Sequence, residues 1–197
     1  REPSRGKFMA RYRNIVILTG AGISAESGIS TFRDPDGVWA KYNVEDVATP
    51  QAFQRDPALV HGFYNTRRSG LASVQPNAAH AALVEFESAC ASKRIEMTVV
   101  TQNVDDLHER AGSRNLIHMH GQLLRAFCLH CETRVDCNED LSTDQVCRHC
   151  HERGGMRPDI VWFGELPYYM DKIYGLLGAC DLFISIGTSG NVYPAAG

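Results

Sequence analysis

The run Ile15-Val16-Ile17-Leu18, followed by Thr19-Gly20-Ala21-Gly22-Ile23-Ser24-Ala25-Glu26-Ser27-Gly28-Ile29-Ser30-Thr31-Phe32-Arg33, decides the fold. A short continuous apolar run rich in β-branched residues predicts a buried parallel strand. The glycines directly after it let the backbone turn tightly and come close to a ligand. Gly20, Gly22 and Ala25 fit a relaxed dinucleotide fingerprint, in which backbone N–H groups and the positive end of a helix hold a pyrophosphate. By spacing alone they also fit a plain tight connection. Thr31-Phe32-Arg33-Asp34-Pro35-Asp36-Gly37 is loop chemistry where a nicotinamide dehydrogenase would begin a second strand ending in an acid. The expected guest is therefore a dinucleotide such as NAD, without hydride transfer.

Outward from this stretch, strands and helices alternate, the pattern of an α/β protein with a Rossmann-like parallel sheet. Strands are predicted at 14–19, 97–101 and 181–186, with a short one near Leu116-Ile117. Each long strand ends in a polar or glycine-rich turn: Gly20-Ala21-Gly22, Gln102-Asn103-Val104-Asp105 and Gly187-Thr188-Ser189-Gly190. In an open parallel sheet the carboxyl ends of the strands form the ligand crevice, so three such turns reinforce one another. Helices are predicted at 57–69, 77–92, 104–111 and 168–178. Asp56-Pro57 and Pro76-Asn77 mark starts, and Gly70 and Gly112 mark stops.

The chain has 197 residues, enough for one sizeable core or a large domain with a small insertion, and its 44% hydrophobic and 22% charged content is ordinary for a globular protein. A net charge of −3 gives no general pull toward nucleic acid, and no apolar run approaches the roughly 18 residues of a membrane span. Neither is expected as a partner. Arg1, Arg5, Lys7, Arg11 and Arg13 face one acid, Glu2, at the start of the sequence, without the apolar stretch of a secretory signal. This reads as a solvated basic end, with the remnant of an organelle-targeting leader as the alternative.

From Leu123 to about Pro158 apolar periodicity fades while Cys, His, Arg and Gly rise, which marks a small inserted module at 123–158. It separates a first part at 1–122, carrying a helical insertion over about 36–75, from a second part at 159–197. The module holds Cys128-x2-Cys131 and, after 15 intervening residues, Cys147-x2-Cys150. That spacing brings four thiolates round one tetrahedral Zn2+, whose binding supplies the folding energy that so few apolar residues cannot. Four thiolate ligands leave no open position, so the zinc is structural. His130, His149 and His151 are then solvated, and Cys90 and Cys180 are small buried hydrophobes. Seven cysteines, an odd number with four in close pairs, point to a reducing compartment, cytoplasmic or matrix-like.

Ile117-His118-Met119-His120-Gly121 lies where the sheet meets the module. Two histidines two apart on an extended segment point the same way, and one near the crevice can act as general base close to neutral pH. The pattern does not choose between His118 and His120.

Gly20-Ala21-Gly22-Ile23-Ser24, Thr31-Phe32-Arg33, Thr101-Gln102-Asn103-Val104-Asp105, His118-Met119-His120-Gly121, the two Cys-x2-Cys pairs, Val161-Trp162-Phe163-Gly164-Glu165 and Gly187-Thr188-Ser189 occur in the order found in sirtuins. From residue 14 onward the chain resembles a sirtuin of the bacterial and mitochondrial desuccinylase type. The resemblance implies NAD-dependent removal of acyl groups from protein lysines, giving nicotinamide, free lysine and O-acyl-ADP-ribose. It places Gly20 to Glu26, the stretch on to Trp39, and Gly187, Thr188 and Ser189 around NAD, with Thr31, Phe32 and Arg33 on a covering loop. Gln102, Asn103, Val104 and Asp105 would line the ribose and nicotinamide pocket, and His120 would be the base. Val161, Trp162, Phe163, Gly164 and Glu165 would pair with an extended acyl-lysine substrate.

In Phe63-Tyr64-Asn65-Thr66-Arg67-Arg68, Tyr64 and Arg67 share a helix face, where a hydroxyl and a guanidinium can meet one carboxylate. Spacing alone favours an exposed basic helix face with Tyr64 as a partial core residue. The resemblance matches Tyr-x-x-Arg to sirtuins that accept succinyl, malonyl and glutaryl lysine, and Ala48 to the small residue that leaves room for a longer acyl group. It also implies that such chains continue past Tyr193-Pro194-Ala195-Ala196-Gly197 into segments that contact the adenosine end of NAD. An NAD-dependent ADP-ribosyltransferase and a non-catalytic zinc- and nucleotide-binding module are the alternatives.

Overall fold

In the computed structural model, which describes residues 12–30, 42–190 and 195, the apolar run becomes β1 (Asn14–Thr19), an inner strand of a four-stranded sheet. Its neighbours are β2 (Glu96–Thr101) on one side and β7 (Leu182–Ile186) on the other, with β3 (Leu116–His118) outside β2; every pairing is parallel. The run is apolar at successive positions because both faces are covered. Ile15 and Ile17 pack with Leu83 and Cys90 of the helix α4 (Ala78–Ser92), whereas Val16 packs with Ile173 of α6 (Met170–Gly178).

Helix starts are set by the predicted caps. Asp56 accepts from the Leu59 amide ahead of α3 (Pro57–Gly70), and Asn77 accepts from the Ala79 amide ahead of α4 while His80 returns a capping bond. Gly112, in the left-handed region at φ 108°, ends α5 (Leu107–Ala111).

Three expectations are corrected. Gly70 is right-handed helical at φ −62°, so the coil runs on through a 3-10 turn at Leu71–Ser73 rather than stopping there. The helix expected at 104–111 begins only at Leu107, because Asp105 turns back to accept the Leu107 amide. The fingerprint turn opens a 3-10 helix at Ala21–Ser27 rather than an α-helix. Inside the helical insertion lie α1 (Val44–Val47) and α2 (Pro50–Arg55), the latter capped by Thr49 ahead of Pro50. Thr49-Pro50 is the same start signal as Asp56-Pro57.

The cysteine-rich region carries a second, antiparallel sheet in the order β5 (Arg134–Asp136), β4 (Gly121–Cys128), β6 (Met156–Ile160). Gly121, at φ +83°, is required where β4 meets β6, since a Cβ there would overlap the Asp159 carbonyl. Helix α3, β4, β6 and Trp162 enclose a separate core that includes Phe63, Tyr64, Leu123 and Ile160.

Of the four histidines that are buried, three, His61, His80 and His108, have lowered pKa values. Burial lowers the pKa of each, and His80 beside it helps to bring His108 down to about 4. The native chain thus refuses protons that the unfolded chain takes up below pH about 6.5, so stability falls as pH falls through that value toward the native pKa values, most strongly through His108, for which the slope approaches about 1.4 kcal/mol per pH unit. Thermal melts between pH about 7.5 and 5 are expected to show a steady drop. A flat melting temperature would mean that these imidazoles protonate in place.

Candidate active site

The turns after β1, β2 and β7 converge at the carboxyl ends of the parallel strands. The Gly20 amide donates to the Ile186 carbonyl (3.0 Å), the Gly22 amide to the Gly187 carbonyl (2.8 Å) and the Gln102 amide to the Thr19 carbonyl (2.9 Å). Gln102 Nε2 also donates to Thr188 Oγ1 at 3.0 Å. A Cβ on Gly22 would lie 2.8 Å from the Gly187 Cα, so glycine here serves the approach of one turn to the other.

From these turns a cleft of about 530 Å3 runs toward α3. Gly20, Ala21, Gly22, Gln102, Asn103, Val104, Gly187, Thr188 and Ser189 line its glycine-rich end. His120 stands in its middle, and Ala48, Tyr64, Arg67 and the segment Val161–Glu165 form the far end. The structure thus gathers one expected set of residues, drawn from seven separate parts of the chain, around a single space.

Other expected residues stand back from it. Ile23 is a core residue, Ala25 and Glu26 are exposed away from the cleft, and Ser24 is buried. Asp105 does not line the cleft: it is buried, accepts from Ser24 Oγ (3.0 Å) and the Leu107 amide (3.1 Å), and braces the turn from behind, while Asn103 Nδ2 donates to Ser24 Oγ (3.1 Å). Burial raises its carboxyl above the usual range, against the pull of those bonds. Thr31, Phe32, Arg33 and Trp39 lie outside the described residues.

The two candidate histidines differ in what holds them. His118 faces an acceptor at each ring nitrogen, the Asn103 carbonyl at 3.1 Å and Glu109 Oε1 at 2.6 Å. Burial opposes ionisation of Glu109, but the hydrogen bond and charge of His118 outweigh it and hold the carboxyl below its usual range. Among the described residues the His120 ring has one hydrogen-bond partner, the Gln102 carbonyl, 3.1 Å from Nδ1. A carbonyl only accepts, so Nδ1 carries the proton and Nε2 keeps its lone pair. Burial lowers the His120 pKa, and the bond to Gln102 only partly offsets it, which keeps the ring neutral at pH 7.

The Sir2 family pattern matches residues 20–194, from the fingerprint turn through both cysteine pairs to the turn after β7. The chain belongs to the Sir2 family. It is 61% identical over 188 residues to an NAD-dependent protein deacylase of Bdellovibrio bacteriovorus, covering 94% of this chain and 79% of that one. Its fold superposes on a Sir2 homologue solved as an ADP-ribose complex with a TM-score of 0.85 at 40% identity, covering 96% of this chain and 77% of that one. A Sir2 homologue solved with NAD gives 0.82 at 39% identity, covering 98% and 76%.

At the far end of this Sir2 cleft, Tyr64 OH accepts from Trp162 Nε1 at 3.0 Å, and burial raises the phenol to about 12, so the hydroxyl stays protonated and able to donate. Arg67 lies over the Phe63 ring at 5.6 Å. Burial lowers its pKa, with Tyr64 and Asp105 opposing. The segment 161–165 is a turn rather than a strand. Its Val161 and Phe163 amides already donate to the His120 and Ala48 carbonyls (2.9 and 3.0 Å), so neither is open to pair with a substrate backbone. Nor is the Glu165 carboxylate free for substrate: it holds Arg157 at 2.7 and 2.9 Å and the Trp162 amide at 2.8 Å, and Arg157 lies over the Trp162 ring. Val44, Phe63, Ile160 and Pro167 also line the cleft and were not singled out; only Phe63, beside Tyr64, carried a signal.

The second sheet of the Sir2 chain converges on Cys128, Cys131, Cys147 and Cys150, whose sulfurs all lie within 4.8 Å of one another. Cys128 and Cys150 are 3.7 Å apart and Cys131 and Cys147 3.8 Å. Tetrahedral zinc with bonds of about 2.3 Å sets its sulfurs about 3.8 Å apart, far beyond the roughly 2.05 Å of a disulfide. The residues fit one structural zinc. Cys128 and Cys147 belong to the local core with Ala126, Cys137, Leu141 and Met156. His130, His149 and His151 are exposed and Cys90 is buried, as expected, whereas Cys180 is only half-buried. Chelation is expected to unfold the second sheet, since structural zinc contributes on the order of 10 kcal/mol to such folds, while amide exchange keeps β1 and β2 protected in their own cores. Unchanged protection of β4 and β6 after metal removal would contradict this.

Proposed function

We infer that the protein is an NAD-dependent deacylase of lysine side chains in proteins, and that it takes acidic acyl groups such as succinyl and malonyl in preference to acetyl. The reading is carried by one arrangement: a neutral imidazole with an open Nε2 stands between a glycine-rich strand-end crevice and a paired hydroxyl and guanidinium, all in one cleft. The names of the similar proteins agree with the first half of it.

When bound, NAD supplies an electrophilic ribose carbon, from which nicotinamide leaves as the acyl oxygen attaches. The turns at Gly20–Gly22, Gln102–Val104 and Gly187–Ser189 are placed to hold the dinucleotide. His120 takes a proton at Nε2 from a ribose hydroxyl, so that this oxygen can attack the transferred acyl carbon. Phe63, Val161 and Trp162 make that end of the cleft apolar and restrict water. Tyr64 donates to, and Arg67 pairs with, a terminal carboxylate on the acyl group, while Ala48 leaves room for its length. The four thiolates suit a reducing compartment, and we place the protein in the cytoplasm, with the mitochondrial matrix as the alternative.

The experiment is mass spectrometry of matched succinyl-lysine and acetyl-lysine peptides incubated with the protein, with and without NAD. The expected result is NAD-dependent loss of succinyl, faster than of acetyl, with nicotinamide and O-succinyl-ADP-ribose formed together. Transfer of ADP-ribose to the peptide with the acyl group intact would overturn the reading.

A further inference from the structure

One residue on from Tyr64 and Arg67, a second pair on α3 faces a different neighbour. Asn65 and Arg68 have the same i, i+3 spacing, turned about 100° round the helix. Asn65 makes a reciprocal pair with the backbone of Leu141, Nδ2 donating to its carbonyl and Oδ1 accepting its amide, both at 2.9 Å. Oδ1 also accepts Arg68 Nη1 at 2.7 Å, and Arg68 Nε donates to the Leu123 carbonyl at 2.9 Å.

Each anchor lies on an element tied to something else. Leu141 belongs to the core of the four-cysteine unit with Cys128 and Cys147. Leu123 sits on β4, which starts beside His120 and ends at Cys128. Arg68 is 3% exposed, and its Nη2 is buried with no hydrogen-bond partner. A buried guanidinium left partly unpaired stabilises little by itself; what it does here is fix the helix against β4 on a face about 100° round from the one that carries Tyr64 and Arg67.

We propose that Asn65 and Arg68 are positioning residues that hold the acyl-reading face of α3 in register with β4 and the four-cysteine unit, and so set acyl selectivity. The inference rests on the reading of Tyr64 and Arg67 given above. A rotation of α3 displaces both of those groups from a terminal carboxylate, whereas the short acetyl group touches neither; the geometry of His120, fixed by Gln102, is untouched.

The test is Asn65→Ala, with zinc content and steady-state kinetics on both peptides. It is expected to raise KM for the succinyl peptide about tenfold, as the loss of interactions worth about 1.4 kcal/mol does, with KM for the acetyl peptide and kcat for both within about twofold and one zinc per chain retained. Amide exchange across 62–70 is expected to quicken by about the same factor. Asn65→Asp, which keeps both acceptor contacts but sets a carboxylate oxygen against the Leu141 carbonyl in place of the donating amide, is expected to show the same split, and it decides the matter if the alanine variant loses its zinc. Parallel loss on both peptides, or no change on either, overturns the inference. If Arg67→Ala removes the succinyl preference and the Asn65 variants keep it, only this inference falls; if Arg67→Ala leaves the preference standing, the acyl reading itself falls and takes this inference with it.

Discussion

His120→Ala is expected to lower kcat on every acyl-lysine peptide by about a thousandfold, within the 10²–10⁴ range of a general base, and to leave the melting temperature within a few degrees. The size follows from the lack of a substitute. His118, two residues away, has both ring nitrogens committed, to the Asn103 carbonyl and to Glu109, so it cannot take over. The fold is spared because, among the described residues, the His120 side chain makes a single hydrogen bond, at the cleft wall. In the unaltered enzyme the base works only when neutral, and burial has lowered its pKa, so kcat/KM is expected to stay level down to pH about 6.5 and to fall below it. That acid limb should vanish from the residual activity of His120→Ala. A variant that kept both its rate and its acid limb would place the base elsewhere. His118→Ala should do the reverse, lowering stability by removing the bonds to the Asn103 carbonyl and to Glu109, which keeps only Gln122, while moving the rate far less.

Much of this was readable from the chain, for reasons that differ from place to place. β1 was legible because Ile15 to Leu18 is buried on both faces by helices, and a run with no polar face has few other homes. The zinc ligands were legible because their spacing is itself the geometry of the site. β6 was not: Met156-Arg157-Pro158-Asp159-Ile160 is buried at every position, yet contains a proline and two charges, which argue against a strand. Its charges are met by Glu165, Arg134 and Tyr168, contributed by the turn after β6 and by β5, and no local pattern announces such partners. The same holds inside the cleft. The family resemblance implied Asp105 and Glu165 as site groups, but the direction of each carboxylate depends on Ser24, Leu107 and Arg157, which hold both of them in structural hydrogen bonds. His118 and His120 are equivalent by spacing and are separated only by the carbonyls of Gln102 and Asn103 and by Glu109.

Arg67→Ala is expected to cut kcat/KM for succinyl-lysine peptides by about tenfold to a hundredfold and to reduce deacetylation far less. The estimate takes one charge-assisted contact at about 1.5–3 kcal/mol, with 1.4 kcal/mol for each factor of ten. Only an acidic acyl group brings a negative charge into a cleft walled by Phe63, Val161 and Trp162, and a carboxylate placed there without a counter-charge costs more than it would in water. The Tyr64 hydroxyl does not replace the guanidinium: burial keeps it neutral, and it already accepts from Trp162, so it offers one uncharged donor. Tyr64→Phe should therefore cost the succinyl reaction only about fivefold to tenfold, and it leaves the buried Trp162 N–H unpaired, which lowers stability as well. Arg67→Lys keeps the charge but loses the planar fork and should fall between the native enzyme and the alanine variant. The comparison that decides is the ratio of the two reactions, measured on one peptide sequence carrying either acyl group. Equal loss of both would mean that Arg67 shapes the cleft through its stacking on Phe63 and reads no charge, and the preference for acidic acyl groups would have to be sought elsewhere along the cleft wall.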